Sequence, residues 1–202
     1  MSKFTQIIFF FSSLLLFVGC MEEVGREPEE FNKNTRTRST VNPPQSYVQE
    51  EGDVIAIPRL NSHRIITPQL NNMCVTAVME YADRAAFGGD RNEGTFVLYY
   101  QMRFGESVVE DGVSLSHIHT FVYHFFKTSL NFKTYQEAID AHMVVMTDIP
   151  STIINSSHCV LVVGYKKNGD VIFMDPEMGD WQTVDPSYIL KHYNIGLKGI
   201  KY

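Results

Sequence analysis

The run Ser157-His158-Cys159-Val160-Leu161-Val162-Val163-Gly164-Tyr165, then Lys166-Lys167-Asn168-Gly169, then Val171-Ile172-Phe173-Met174-Asp175-Pro176, decides the fold class. Both flanks are rich in β-branched and aromatic residues, and the polar stretch between them ends in Asn-Gly. The segment therefore reads as a β-hairpin. Upstream, 143–147 is a further strand, preceded by a short helix that Thr134 and Glu137 start as a capping box. Downstream, Asp185-Pro186 is expected to cap a last helix to Tyr193, and 197–200 to close the sheet. Working back toward the N-terminus, Cys74 opens an apolar stripe of Val75, Val78, Tyr81, Ala82 and Ala85 at helical spacing, which Gly88-Gly89 ends. Residues 95–104 form a second helical run closed by Gly105. Ser114 or Ser116 caps a third through Phe125-Phe126, and 54–57 is a short strand. Helices precede antiparallel strands, which is α+β segregation and not alternating βαβ.

The chain has 202 residues, 44% hydrophobic, 20% charged and 12% aromatic, a composition that excludes collagenous, coiled-coil and wholly disordered classes. A formal charge of −6 leaves no basic footprint for nucleic acid. Three cysteines cannot build a disulfide framework.

One of those cysteines belongs to the N-terminus. Lys3 precedes Ile7-Ile8-Phe9-Phe10-Phe11 and Leu14-Leu15-Leu16-Phe17-Val18, and Gly19-Cys20 follows at once. So short an apolar run, ending in a small residue, reads as a signal peptide and not as a spanning helix. Phe17-Val18-Gly19-Cys20 resembles the bacterial lipobox, which implies cleavage before Cys20 and acylation of its thiol. Glu22, Glu23, Glu27, Glu29 and Glu30 then lead into Asn42-Pro43-Pro44-Gln45-Ser46, too poor in apolar residues to bury anything. This acidic start resembles the signals that send Bacteroidetes-type lipoproteins to the cell surface. The expected organisation is a signal peptide over 1–19, an acylated cysteine with a solvated tether over 20–50, and a folded domain over 51–202. The expected location is the outer membrane or cell surface, with the periplasmic face also open.

Thr67-Pro68-Gln69-Leu70-Asn71-Asn72-Met73-Cys74 delivers a cysteine to the mouth of a helix. A helix N-terminus favours the thiolate, the nucleophilic form of a cysteine. An amide side chain just upstream, with the cysteine's own backbone N–H, can hold an oxyanion. His158 begins one strand of the hairpin and Asp175 ends the other. Histidine is the usual base for such a thiol, and an acidic group orients it.

Gln69…Cys74-Val75-Thr76-Ala77-Val78, with His158 to Tyr165 and Val171 to Pro176, resembles the papain-like cysteine peptidases of the C39-like group. The helix-to-strand segment 135–147 matches the element that precedes the catalytic histidine there. The resemblance spans roughly 68–193. It implies a papain-like fold with Cys74 as nucleophile, His158 as base, Asp175 as its orienter and Gln69 as oxyanion donor. It also implies a peptide or protein substrate. Gln69 sits one residue nearer the cysteine than in typical papain-like chains, so Asn71 or Asn72 stands as an alternative donor. Streptopain-like peptidases share Cys-Val, but their Asn-Trp-Gly-Trp motif is absent, and Asp-Pro favours the C39-like branch.

Strand register decides whether Asp175 reaches His158. A two-residue turn pairs positions summing to 337 and leaves Asp175 about four residues, ~13 Å, from His158. A four-residue loop, 166–169, gives a sum of 335. Asp175 then lies opposite Val160, diagonal to His158 at ~7–8 Å between backbones. A sum of 336 turns Asp175 to the wrong face. The expectation is therefore the longer loop, or a bulge with the same net effect, with Gly169 at positive φ. Alternation also turns Cys159 away from His158, so no Cys74–Cys159 disulfide is expected.

Other groups carry less. His117 and His119 are two apart, about 200° around a helix, and share no metal face. Asp170, Asp175 and Asp180 lack a calcium-loop pattern. Trp181 lines a cleft or caps the core edge. No cofactor is expected. Two alternatives to a thiol hydrolase remain open: a papain-like surface lipoprotein that only binds a partner, and a transglutaminase-like acyl transferase.

Overall fold

The computed structural model describes residues 49–56, 72–151 and 157–201. Gln69, Asn71, Cys20, the signal segment and most of the tether lie outside the described residues. Among those described, no helix is long and apolar enough to cross a membrane.

The architecture is α+β, as expected of a papain-like fold. A first hairpin, β1 (Gln49–Glu51) and β2 (Val54–Ala56), precedes helix α1 (Cys74–Tyr81), which runs on through a π-helical turn, Ala82–Ala86. Then come α2 (Glu93–Phe104), α3 (Val108–Asp111), α4 (Leu115–Phe125) and β3 (Phe126–Ser129). Helix α5 (Tyr135–Asp140) leads into β4 (Val144–Pro150), β5 (Ser157–Lys166), β6 (Val171–Asp175), β7 (Asp180–Val184) and β8 (Ile195–Ile200). All the strand pairs are antiparallel, in one 8-stranded sheet ordered β1-β2-β5-β4-β8-β3, with β6 pairing β5 and β7 on a branch.

Local chemistry places the helices where their patterns ask. Asn92 accepts the Thr95 N–H at 3.1 Å and starts α2 two residues ahead of the expected 95, and Gly105 at φ 73° ends it. Thr134 accepts the Glu137 N–H at 3.1 Å, while the Glu137 carboxylate takes the Lys133 N–H at 2.8 Å. The expected stripe on α1 is buried throughout, with Val78 and Ala82 at 0% exposure. It packs against a core that includes Phe96, Tyr100, Phe121, Val160, Val162 and Phe173. Each such side chain contributes about 1.5–3 kcal/mol on burial.

One sequence expectation needs correction. The last helix to Tyr193 does not form: Asp185 caps only a single 3-10 turn, Pro186–Tyr188. The buried Asp148 takes over the following backbone, its carbonyl accepting the Leu190 N–H at 2.9 Å and its carboxylate the His192 N–H at 3.0 Å. Lys191 at φ 63° breaks any helical path. Of the two ways expected to set the hairpin register, the chain takes the bulge and not the longer loop 166–169. Near the turn, Tyr165 pairs Val171 and the sum is 336, closed by the Lys166 N–H to Asp170 carbonyl bond at 2.8 Å and Gly169 at φ 99°. A bulge between Val162 and Gly164 then resets the sum to 335, with Leu161 opposite Met174. One extra residue on β5 supplies the shift that the loop was expected to supply. Gly164 fits there because β2 lies close: a Cβ would come within 2.6 Å of the Ile55 carbonyl oxygen. Strands β1, β3 and β7 and helix α3 were not foreseen, and Phe126, expected in the third helix, opens β3.

Candidate active site

Cys74 is the first residue of α1, and its thiol is half-buried and unpaired by any disulfide. The backbone N–H groups of a helix's first turn have no partners within the helix, and they gather at this end. The turn is braced sideways. The Thr76 hydroxyl lies 2.9 Å from the Met73 carbonyl and 3.0 Å from the Glu93 carboxylate, which share its single O–H. The Glu93 N–H donates to Glu80 at 2.8 Å, so α1 and the start of α2 move as one. Burial raises the Glu93 carboxyl above its ordinary range, against the Thr76 hydrogen bond.

His158 stands near the start of β5 and Asp175 at the end of β6, both buried. Past the bulge the register brings them together: His158 Nε2 lies 2.7 Å from Asp175 Oδ1. The same oxygen accepts the Glu177 N–H at 2.9 Å and the Met178 N–H at 3.4 Å. These bonds shape the 176–179 turn into β7, which the Gly179 N–H closes onto the Asp175 carbonyl at 2.8 Å. Pro176 suits the first turn position because it has no N–H to place. Burial pushes the Asp175 carboxyl up, but the hydrogen bond and charge of His158 and the two backbone N–H groups outweigh it and hold it low. Burial alone would keep His158 neutral. Hydrogen bonds to Asp175 and Cys74, with the charges of both, overcome that and raise it to about 9. With Nε2 bonded to Asp175, Nδ1 is the ring nitrogen left for the thiol.

Cys74, His158 and Asp175 are thus brought together, while Gln69 and Asn71 lie outside the described residues. Asn72, weighed as a substitute oxyanion donor, is already engaged: its Nδ2 donates to the Glu110 carbonyl at 2.9 Å and the Val109 carbonyl at 3.3 Å. Cys159 is a separate buried thiol, pushed well above its ordinary value by burial, with the Tyr193 hydroxyl as its neighbour. Trp181 packs half-buried at the core edge and donates to the Tyr81 hydroxyl at 3.4 Å. His117 stacks on Phe104 with ring centroids 4.4 Å apart, and His119 is exposed. Glu177 was not foreseen. It has a carboxylate oxygen within 4.8 Å of donor atoms of His158 and Asp175, in the only such three-residue cluster among the described residues.

A thiol at a helix N-terminus beside an imidazole held by a carboxylate can attack a carbonyl carbon and hand a proton to a leaving group. No curated protein matches the chain. The profile of the Peptidase_C39 like family does, over residues 55–195, which takes in the Cys74 helix and the His158–Asp175 hairpin. The chain belongs to the Peptidase_C39 like family.

Proposed function

We propose that this protein is a thiol hydrolase that cleaves a peptide or amide bond through a thioester on Cys74. The observation that carries this reading is the His158–Asp175 bond at 2.7 Å, on an imidazole that Cys74 also influences. The Cys74 sulfur attacks the carbonyl carbon, and the resulting oxyanion is met by the Cys74 backbone N–H and a second donor upstream, for which Gln69 is the residue of choice. The His158 imidazolium protonates the amine as the C–N bond breaks, leaving the thioester. Water then attacks with His158 as base, the C–S bond breaks, and the acid leaves with Cys74 restored. Acyl transfer to an amine in place of water is the second reading, since it uses the same Cys-His-Asp order.

The test is a fluorescent thiol-directed peptide probe at pH 7 on the wild type and on Cys74→Ala. Labelling of the wild type alone is expected. Labelling that survives the substitution, or never occurs, leaves a papain-like protein that only binds its partner.

The lipobox-like sequence further supports a lipid anchor on Cys20, holding the domain at the outer membrane or cell surface. Metabolic labelling with a clickable fatty acid is expected to mark the full chain and to vanish in Cys20→Ala. A mature form that is soluble and unlabelled would make the signal merely secretory.

A further inference from the structure

We propose that Asn72 is a positioning residue for Cys74, fixing the nucleophile by tying the loop in front of α1 to the end of α3. The inference rests on the reading of Cys74 as nucleophile and adds a residue to it.

Asn72 has φ 70°, in the left-handed region where asparagine is tolerated and β-branched residues are not. It stands immediately before Met73 and Cys74. Its amide then reaches 37 and 38 residues along the chain, to the carbonyls of Val109 and Glu110. Helix α3 spans only Val108–Asp111, and its closing bonds, from the Asp111 and Gly112 N–H groups, go to Ser107 and Val108. The Val109 and Glu110 carbonyls are therefore orphans of a helix C-terminus, and Asn72 satisfies both. Because both partners are acceptors, the nitrogen of the amide must face them. Gly112, at φ 75°, closes the contact: a Cβ there would meet the Asn72 carbonyl oxygen at 3.4 Å. Met73 offers α1 no side-chain cap. The Cys74 end of the helix is accordingly held from α3, through Asn72, on top of the Thr76 contacts to Met73 and Glu93.

The experiment compares the full chain with Asn72→Gly, which keeps the backbone freedom and loses the amide. Asn72→Asp keeps the shape and sets a carboxylate against the two carbonyls, and gives the same comparison if the glycine variant does not fold. Two readouts are taken: steady-state peptide cleavage, and the His158 titration by NMR on histidine-labelled protein. The His158 resonance is assigned with His158→Gln, and Cys74→Ala serves as the reference for lost coupling. Expected are a kcat lower by roughly 10- to 100-fold with KM nearly unchanged, and a His158 titration that falls from about 9 toward that of Cys74→Ala. A kcat loss with the titration unmoved, or neither change, overturns the positioning role. If the wild type cleaves nothing yet the titration falls in Asn72→Gly, the positioning role stands and the hydrolase reading fails.

Discussion

For the hydrolysis proposed above, His158→Ala is expected to lower kcat/KM on a peptide substrate by about 10²- to 10⁴-fold, the contribution of a well-placed proton-transfer group. The substitution removes the group that protonates the leaving amine in the first half-reaction and activates water in the second, and it leaves the Asp175 carboxylate buried without its cation. The pH profile carries the finer information. Because His158 is raised from 6.5 to about 9, the imidazolium persists through neutral pH, and activity is expected to fall off on the alkaline side near 9. In Asp175→Asn an amide oxygen still accepts the Nε2–H, but the negative charge is gone. The alkaline limb should then move to lower pH, measured as kcat/KM between pH 6 and 10. An unmoved limb would mean that Asp175 does not govern the imidazole. Stability follows with a defined sign. A raised histidine stabilises the fold fully below its ordinary 6.5, and that contribution is lost as pH climbs to about 9. The depressed Asp175 stabilises above its ordinary 3.8, and that contribution is lost as pH falls through its lower folded value.

Arg91→Ala destabilises the domain by about 3–5 kcal/mol, the cost of stranding a buried charge. Asp83, on the π-helical turn, is fully buried. Its Oδ1 accepts the Arg91 N–H at 3.1 Å, and its Oδ2 faces the Arg91 guanidinium at 3.4 Å without a hydrogen bond. The same guanidinium donates to the Phe125 carbonyl at 3.3 Å and to the Lys201 carbonyl. One cation thus joins the end of the Cys74 helix, the end of α4 and the chain beyond β8. Burial already raises the Asp83 carboxyl, with the Arg91 N–H and charge opposing. Without Arg91 it rises further. The loss should therefore be larger at pH 7 than at pH 4, where the carboxyl approaches neutrality in both folded and unfolded states. Adding Asp83→Asn should recover part of it. Thermal unfolding reads this as a drop of about 10 °C. A loss below about 1 kcal/mol would show that water reaches the carboxylate.

The central hairpin was legible because Val160-Leu161-Val162-Val163 and Val171-Ile172-Phe173 have no other comfortable state than a buried sheet. The Cys74 helix was legible from its stripe, residues 95–104 from the Gly105 that closes them, and 135–140 from the Thr134–Glu137 box. Register arithmetic required Asp175 to lie opposite Val160 but could not choose between a longer loop and a bulge. The choice depends on Gly164 lying against β2, a strand some 110 residues earlier. Strand β7 escaped because Asp180-Trp181-Gln182-Thr183-Val184 is only partly buried and carries just two apolar residues, Trp181 and Val184, which do not alternate. The failed helix before Tyr193 was decided by Asp148, more than forty residues upstream. Asn72 reads locally as an amide beside a cysteine. Its partners on α3 are what make it an anchor, and no local pattern states them.

Strand β8 has a bearing on how the molecule comes into being. It follows every other strand in sequence, yet it lies inside the sheet, between β4 and β3. Phe126 pairs with Ile200 and Val144 with Leu197, so both neighbours wait for a segment made long after them. A chain interrupted before residue 195 leaves one edge of β4 bare and β3 without the strand it pairs with. Such distant pairings close slowly, because loop entropy is lost before contacts repay it. During synthesis the growing chain has no finished sheet to settle into, and the core closes only once β8 has left the ribosome.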